Sequence, residues 1–255
     1  MFPDLFSIGP FTLHTYGLFV ATGFLVSLMV TIKIGKAEGI TPQQTMDIGF
    51  LMIVAAIVGS RLMYVLMNIS YYMRQPMDAL KMWQGGLVFS GGIVCVVLAV
   101  TWYTRRHQFS FWKMADIWAP AMAVGQGIGR IGCFMAGCCY GKPTGSKWGV
   151  VFADPHSLAP LNIPLHPTQL YSSVGNFIIF FVLLLLHRKK TFDGQVFLWL
   201  LVLHSTARLF VERFRGDDRG MVFEGGMTIT QLVTLLILMA AIVTLFIFKR
   251  RGARN

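Results

Sequence analysis

Seven long apolar stretches separated by short polar ones leave this 255-residue chain few ways to fold. A bilayer core is crossed by about 20 mostly apolar helical residues. Stretches of that kind lie near Gly17 to Ile34, Ile48 to Met67, Gly86 to Tyr103, Ile117 to Met135, Ser172 to Leu186, Val196 to Phe214 and Met227 to Phe248. In hydrocarbon every backbone N–H and C=O must find its partner within the protein, so such stretches read as helices. The expected fold class is an all-α integral membrane protein of about seven transmembrane helices, forming a single polytopic domain over 1–255. Only 13% of residues are charged, against about a quarter in soluble domains. The opening MFPDLFSIGP lacks a basic n-region and a small-residue cleavage site, so no removable signal peptide is expected there.

The net charge of +11 does not point to nucleic acid, because the basic residues fall in short clusters between apolar runs and form no stripe. An anionic membrane surface is the expected partner. With the N-terminus outside, twelve Lys and Arg lie in inner loops and tails, among them Lys33, Arg105, Arg188 and Lys249, and seven lie in outer loops. That bias predicts a cytoplasmic C-terminus. The outer cluster Arg213 to Arg219 is the exception, interleaved with Glu212, Asp217 and Asp218. The longest connection, about Tyr140 to Tyr171, is rich in Gly, Pro and Ser and is the only loop large enough for a lid or a partner-binding element.

Three arginines fall within the apolar stretches: Arg61, Arg130 and Arg208. A guanidinium at the centre of a membrane helix costs about 2.5 to 3.5 kcal/mol on insertion scales, so something must compensate it. One such arginine alone is as well explained by snorkelling or a structural ion pair. Three together favour a site for an anionic lipid headgroup, because the guanidinium fork cannot be deprotonated and matches phosphate oxygens. His204, Arg208, Glu212 and Arg215 recur at three- and four-residue steps and line one helical face. Gly125 to Gly141 holds six glycines around Arg130, a pattern that serves helix packing unless the arginine gives it another use.

Cys95, Cys133, Cys138 and Cys139 show neither the spacing of a zinc site nor the density of a disulfide framework, so small apolar core residues are expected and no metal ligand set. His166, before Pro167, reads equally as an interfacial base or a hydrogen-bonded turn residue. His107 and His187 read as interfacial loop residues.

LHTYG (Leu13 to Gly17), GGLVFSGG (Gly85 to Gly92), GRIGCFMAGCCYG (Gly129 to Gly141), HPTQLY (His166 to Tyr171) and RLFVERFR (Arg208 to Arg215) occur in this order along the chain. In these segments the sequence resembles the phosphatidylglycerol:prolipoprotein diacylglyceryl transferases, and the resemblance covers nearly the whole chain. It implies a bacterial inner-membrane enzyme, without cofactor, that moves the diacylglyceryl group of phosphatidylglycerol onto the lipobox cysteine thiol of prolipoproteins and releases glycerol phosphate. Arg130 matches the signature arginine that contacts phosphatidylglycerol, and Gly132, Gly137 and Arg61 are grouped with it as substrate-binding. Arg208 and Glu212 match an essential basic and acidic pair, and His14 and Tyr16 the amino-terminal pair; these four are the expected catalytic residues. Three positions depart from the family pattern. Ser90 stands where many members have His, Cys133 where many have Asn, and Cys138 at an acidic position, so a mechanism with that histidine as base does not transfer. Two readings from other classes remain beside this one: an anionic lipid transporter or flippase, which buried arginines and glycine-broken helices also suit, and an intramembrane serine protease built on Ser90.

Overall fold

The computed structural model describes residues 2–8, 11–81, 85–216 and 227–252. Arg219, Asp217 and Asp218 of the outer cluster, and Arg254, lie outside the described residues. The elements run β1 (Asp4–Ile8), β2 (Phe11–His14), α1 (Thr15–Ala37), α2 (Pro42–Met67), α3 (Ile69–Tyr72), a 3-10 turn (Pro76–Leu80), α4 (Phe89–Arg106), α5 (Phe111–Ala136), β3 (Val150–Val151), β4 (Pro164–Leu165), α6 (Thr168–His187), α7 (Gln195–Glu212) and α8 (Ile229–Gly252). Each of the seven apolar stretches is a helix. Five of these, α1, α2, α6, α7 and α8, are long and apolar enough to cross a membrane. The others, α4 and α5, are 18 and 26 residues long but more polar, with Arg105 and Arg106 in the one and Lys113, Asp116 and Arg130 in the other. Large apolar side chains such as Phe50, Leu62, Phe181 and Phe246 stand exposed along the helices, as lipid-facing residues do and soluble surfaces do not.

The chain packs as two compact units, Ile32–Met114 and Met1–Thr31 with Ala115–Asn255. In the first, α2 begins six residues earlier than its apolar run. Thr41 and Gln44 form a capping box with Pro42 in the first turn, satisfying amides that the helix cannot bond itself. α2 and α4 meet where side chains are smallest. A methyl group on Gly59 would lie 2.6 Å from the Gly91 carbonyl oxygen, and one on Gly91 would overlap Met63 and the Gly59 carbonyl oxygen. Close backbone approach of this kind lets membrane helices gain contact where lipid offers no hydrophobic driving force.

In the other unit, Ala119 and Ala123 of α5, Ile179 and Leu183 of α6, and Val196 and Leu200 of α7 form a common core. β1 and β2 make an antiparallel hairpin ahead of α1. The long connection between α5 and α6 is not featureless: β3 pairs with β4, and Phe152, Ala159 and Leu165 form a small core of their own beside Phe134. α7 starts after Gly194 and is capped from a neighbouring helix. The carboxylate of Asp116, fully buried, accepts from the amides of Gly194 and Phe197, each at 2.9 Å, with Lys190 Nζ 3.9 Å away. A helix N-terminus exposes unpaired amides and positive dipole ends, which is where a buried carboxylate is best compensated.

Two outcomes follow. Asp116→Ala removes both acceptors and orphans the α7 amides, so about 2 to 3 kcal/mol of stability is lost, while Asp116→Asn, which keeps one acceptor, loses less; Tm in detergent reads the order. Gly91→Val separates α2 from α4 and costs about 1 to 3 kcal/mol by overpacking, whereas Gly145→Ala, in open space, leaves Tm unchanged.

Candidate active site

α5 ends at Ala136, and the chain turns back at Gly137, whose φ of 75° belongs to the left-handed region that glycine enters without strain. A side chain there would also collide with Ser157 Oγ. The turn that follows is gripped from two sides. Thr168 Oγ1 donates to the Cys139 carbonyl at 2.7 Å, and Gln169 Nε2 to the Cys138 carbonyl at 2.8 Å. Gly141 N donates to His166 O, Lys142 N to Phe214 O, and Gly216 N to Tyr140 O. Three separate segments, the glycine-rich end of α5, the HPTQLY start of α6 and the RLFVERFR end of α7, are thereby tied together through their backbones.

This arrangement brings Arg130 and Arg208 to one place. They line a small cavity of about 30 Å³ together with Tyr171, Ser172, Asn176 and His204. Arg208 Nη2 lies 3.0 Å from Glu212 Oε2 one turn along α7, with the glutamate side chain 4% exposed. Among the described residues Arg130 has no carboxylate partner, and it lines this cavity.

A second, larger cavity of about 540 Å³ is lined by His14, Tyr16, Asp4, Cys138 and His156. His14 Nδ1 lies 2.6 Å from Asp4 Oδ1, and His156 Nδ1 3.1 Å from Asp4 Oδ2, so the N-terminal hairpin is linked to the long loop through one carboxylate. Gly132 serves this side of the site by packing, since a methyl group there would stand 2.8 Å from Phe19 Cβ and 3.3 Å from the Tyr16 carbonyl oxygen. The sulfurs of Cys133, Cys138 and Cys139 lie within 4.8 Å of one another. Hydrogen bonding with Cys133 and Cys138, and then the Arg215 guanidinium, holds the Cys139 thiol below its ordinary pKa, while the same network pushes Cys138 up.

Arg61 is differently employed. Its Nε donates to Ala79 O at 2.9 Å, Nη1 to Gly85 O at 2.6 Å and Gly86 O at 3.3 Å, and Nη2 to Asp78 O at 2.7 Å. It also lies 5.6 Å from the ring centres of Tyr64 and Tyr72. A guanidinium has five N–H donors, and backbone carbonyls engage most of them. Arg61 thus shapes the wall of a cavity of about 390 Å³ that it shares with Tyr64, Tyr71 and Asp78. The expectation that it offers its fork to a headgroup gains no support from this geometry. Nearby, Lys81 and Tyr71 hold the Asp78 carboxyl below its usual pKa by hydrogen bonding.

His166 is a turn residue with its ring used: Nδ1 lies 3.2 Å from the Tyr171 hydroxyl, and the ring packs edge-on against Phe214. Ser90 sits in the first turn of α4. Sequence reasoning passed over Thr168 and Gln169, Asp4, His156 and the meeting of the three thiols. Only the HPTQLY segment carried a signal for the first of these.

The sequence model of the family described as prolipoprotein diacylglyceryl transferase matches residues 3–247. The phosphatidylglycerol–prolipoprotein diacylglyceryl transferase of Clostridium tetani is 35% identical over 249 residues, covering 98% of this chain and 97% of its own. The proteins of that name from Geobacter sulfurreducens and Serratia proteamaculans are each 31% identical, covering 98% of this chain and 96% and 93% of their own lengths. A match that runs through the hairpin, every motif segment and all seven long helices makes this chain a member of the prolipoprotein diacylglyceryl transferase family.

Proposed function

We propose that this protein transfers the diacylglyceryl group of phosphatidylglycerol to the lipobox cysteine thiol of a prolipoprotein, the first step of lipoprotein maturation, and releases glycerol phosphate. The observation that carries the reading is the pair of guanidiniums, Arg130 from α5 and Arg208 from α7, lining one cavity among hydroxyl and imidazole groups. Two fixed positive forks suit a phosphodiester whose phosphate departs as a monoester anion.

The reaction is a displacement at the glycerol carbon that bears the phosphate ester. The thiol sulfur forms the C–S bond, the C–O bond breaks, and its electron pair goes to the phosphate oxygen. Negative charge grows on that oxygen in the transition state, and pre-oriented donors stabilise it without having to reorganise. Arg130 offers its free donors to the phosphate. Arg208, held by Glu212 at 3.0 Å, keeps its guanidinium oriented for the same group. Positive charge nearby also lowers the pKa of an incoming thiol from its ordinary value of about 8.5. Tyr16 and His14, on the 540 Å³ cavity, are assigned to the thiol side. Gly132 and Gly137 act by letting α1 and the long loop approach the end of α5.

Both substrates are membrane-anchored, so the site opens laterally, near the outer leaflet of the bacterial inner membrane, with the N-terminus outside and the C-terminus in the cytoplasm. All seven long helices cross the bilayer in this reading.

Purified protein is expected to move labelled diacylglycerol from phosphatidylglycerol to a lipobox peptide, with stoichiometric glycerol phosphate release. Arg130→Lys and Arg208→Lys lose the bidentate fork and lower kcat by about 10²- to 10³-fold; full activity in both would sink the assignment, and a folded, lipid-binding protein that transfers nothing would favour a transporter. Serine-directed alkylation is expected to leave Ser90 unlabelled and transfer intact, whereas a protease would be labelled there and inactivated.

A further inference from the structure

Cys133 lies on the last turn of α5, one turn beyond Arg130, and Cys138 and Cys139 follow in the turn after it. Cys139 has a φ of 61°, in the left-handed region that non-glycine residues rarely adopt. That backbone brings its side chain back toward the helix. The result is three free thiols whose sulfurs all lie within 4.8 Å of one another. Sulfurs bound at about 2.3 Å to one tetrahedral ion stand about 3.8 Å apart, so contraction by about 1 Å closes the set on a single metal.

Two guanidiniums stand near the three sulfurs. Arg215 hydrogen-bonds Cys139, and Arg130 acts on Cys133 electrostatically. Cys138 and Cys139 are half-buried, and Cys138 opens onto the cavity of about 540 Å³. Among the described residues no fourth His, Cys, Asp or Glu joins the group. Three protein ligands with a fourth position open is the pattern of catalytic rather than structural zinc.

We propose that Cys133, Cys138 and Cys139 hold a thiophilic divalent ion, of the zinc class, whose open position binds the thiolate of the incoming cysteine. This rests on the transferase reading above. The incoming thiol gives its proton to water on binding, since a coordinated thiol is deprotonated outright. The metal-bound sulfur then supplies the electron pair for the C–S bond. The phosphate oxygen takes the pair of the broken C–O bond, and the thioether formed, a poorer ligand than a thiolate, leaves the ion. Four thiolates around a divalent ion carry two net negative charges, which the two arginines offset. A protein base becomes unnecessary.

The test is titration of the reduced, metal-stripped full-length protein with Co(II), read by its sulfur-to-cobalt charge-transfer absorption. The expected result is one Co(II) per chain with intensity for three thiolates, rising to four on addition of a cysteine lipobox peptide and unchanged by the serine peptide. Cys138→Ser and Cys139→Ser each weaken Co(II) binding by more than the roughly 10- to 100-fold that loss of an outer-shell partner costs. Absence of a thiolate band, or a disulfide between two of the three cysteines in the reduced preparation, overturns the site. Three thiolates with no response to the cysteine peptide overturns the substrate role. Stripped protein that still transfers diacylglycerol at full rate also overturns that role and leaves the transferase reading standing; a peptide-responsive cobalt site in a protein that transfers nothing keeps the site and defeats the transferase reading.

Discussion

The carbonyl oxygens and amides of residues 138–142 bind both the start of α6 and the end of α7, and the candidate site depends on those bonds. A glycine-rich helix end in a membrane protein has backbone groups that neither lipid nor its own helix can satisfy. Thr168 and Gln169 satisfy two of them, and the strand-like pairing of Gly141 and Lys142 with His166 and Phe214 satisfies more. Completing the hydrogen bonding of that turn therefore fixes three motif segments relative to one another. Arg130 on one and Arg208 on another then face a common cavity as a consequence.

Three charges within the described helices are compensated by near neighbours in space. Asp116 is held by the amides of α7, Arg61 by carbonyls of the 78–86 segment, and Glu212 by Arg208 one turn away. Each partner set removes most of the penalty of taking an ion from water. Arg130 is treated differently: among the described residues it has no carboxylate beside it, and it lines the cavity that Arg208 shares.

The seven helices were legible in the sequence because their apolar runs are long and the lipid-facing pattern is one-sided only in its charges. Their starts were less so. α2 begins at Pro42 and α6 at Thr168, and in both the first turn is polar, although the Thr41, Pro42 and Gln44 signature was there to be read. The hairpin of β1 and β2 escaped because two strands of five and four residues give no period long enough to recognise. Arg208 and Glu212 were paired correctly from their four-residue spacing, since that contact is within one helix. Arg61 was not, because its partners are carbonyls 17 to 25 residues away, which carry no side-chain signal. The meeting of Cys133 with Cys138 and Cys139 is likewise invisible in spacing alone, as it depends on left-handed residues at 137 and 139.

The turn after α5 is held to α6 and α7 mainly through its own main-chain groups, with the Cys139 thiol adding a hydrogen bond to Arg215. Substitution at positions 133, 138 and 139 therefore changes the chemistry presented at the site while leaving the main-chain bonds that shape it. Such a frame is a socket into which different functional groups can be exchanged over evolutionary time. The same backbone contacts leave those positions free to carry an amide, a carboxylate or a sulfur on one architecture.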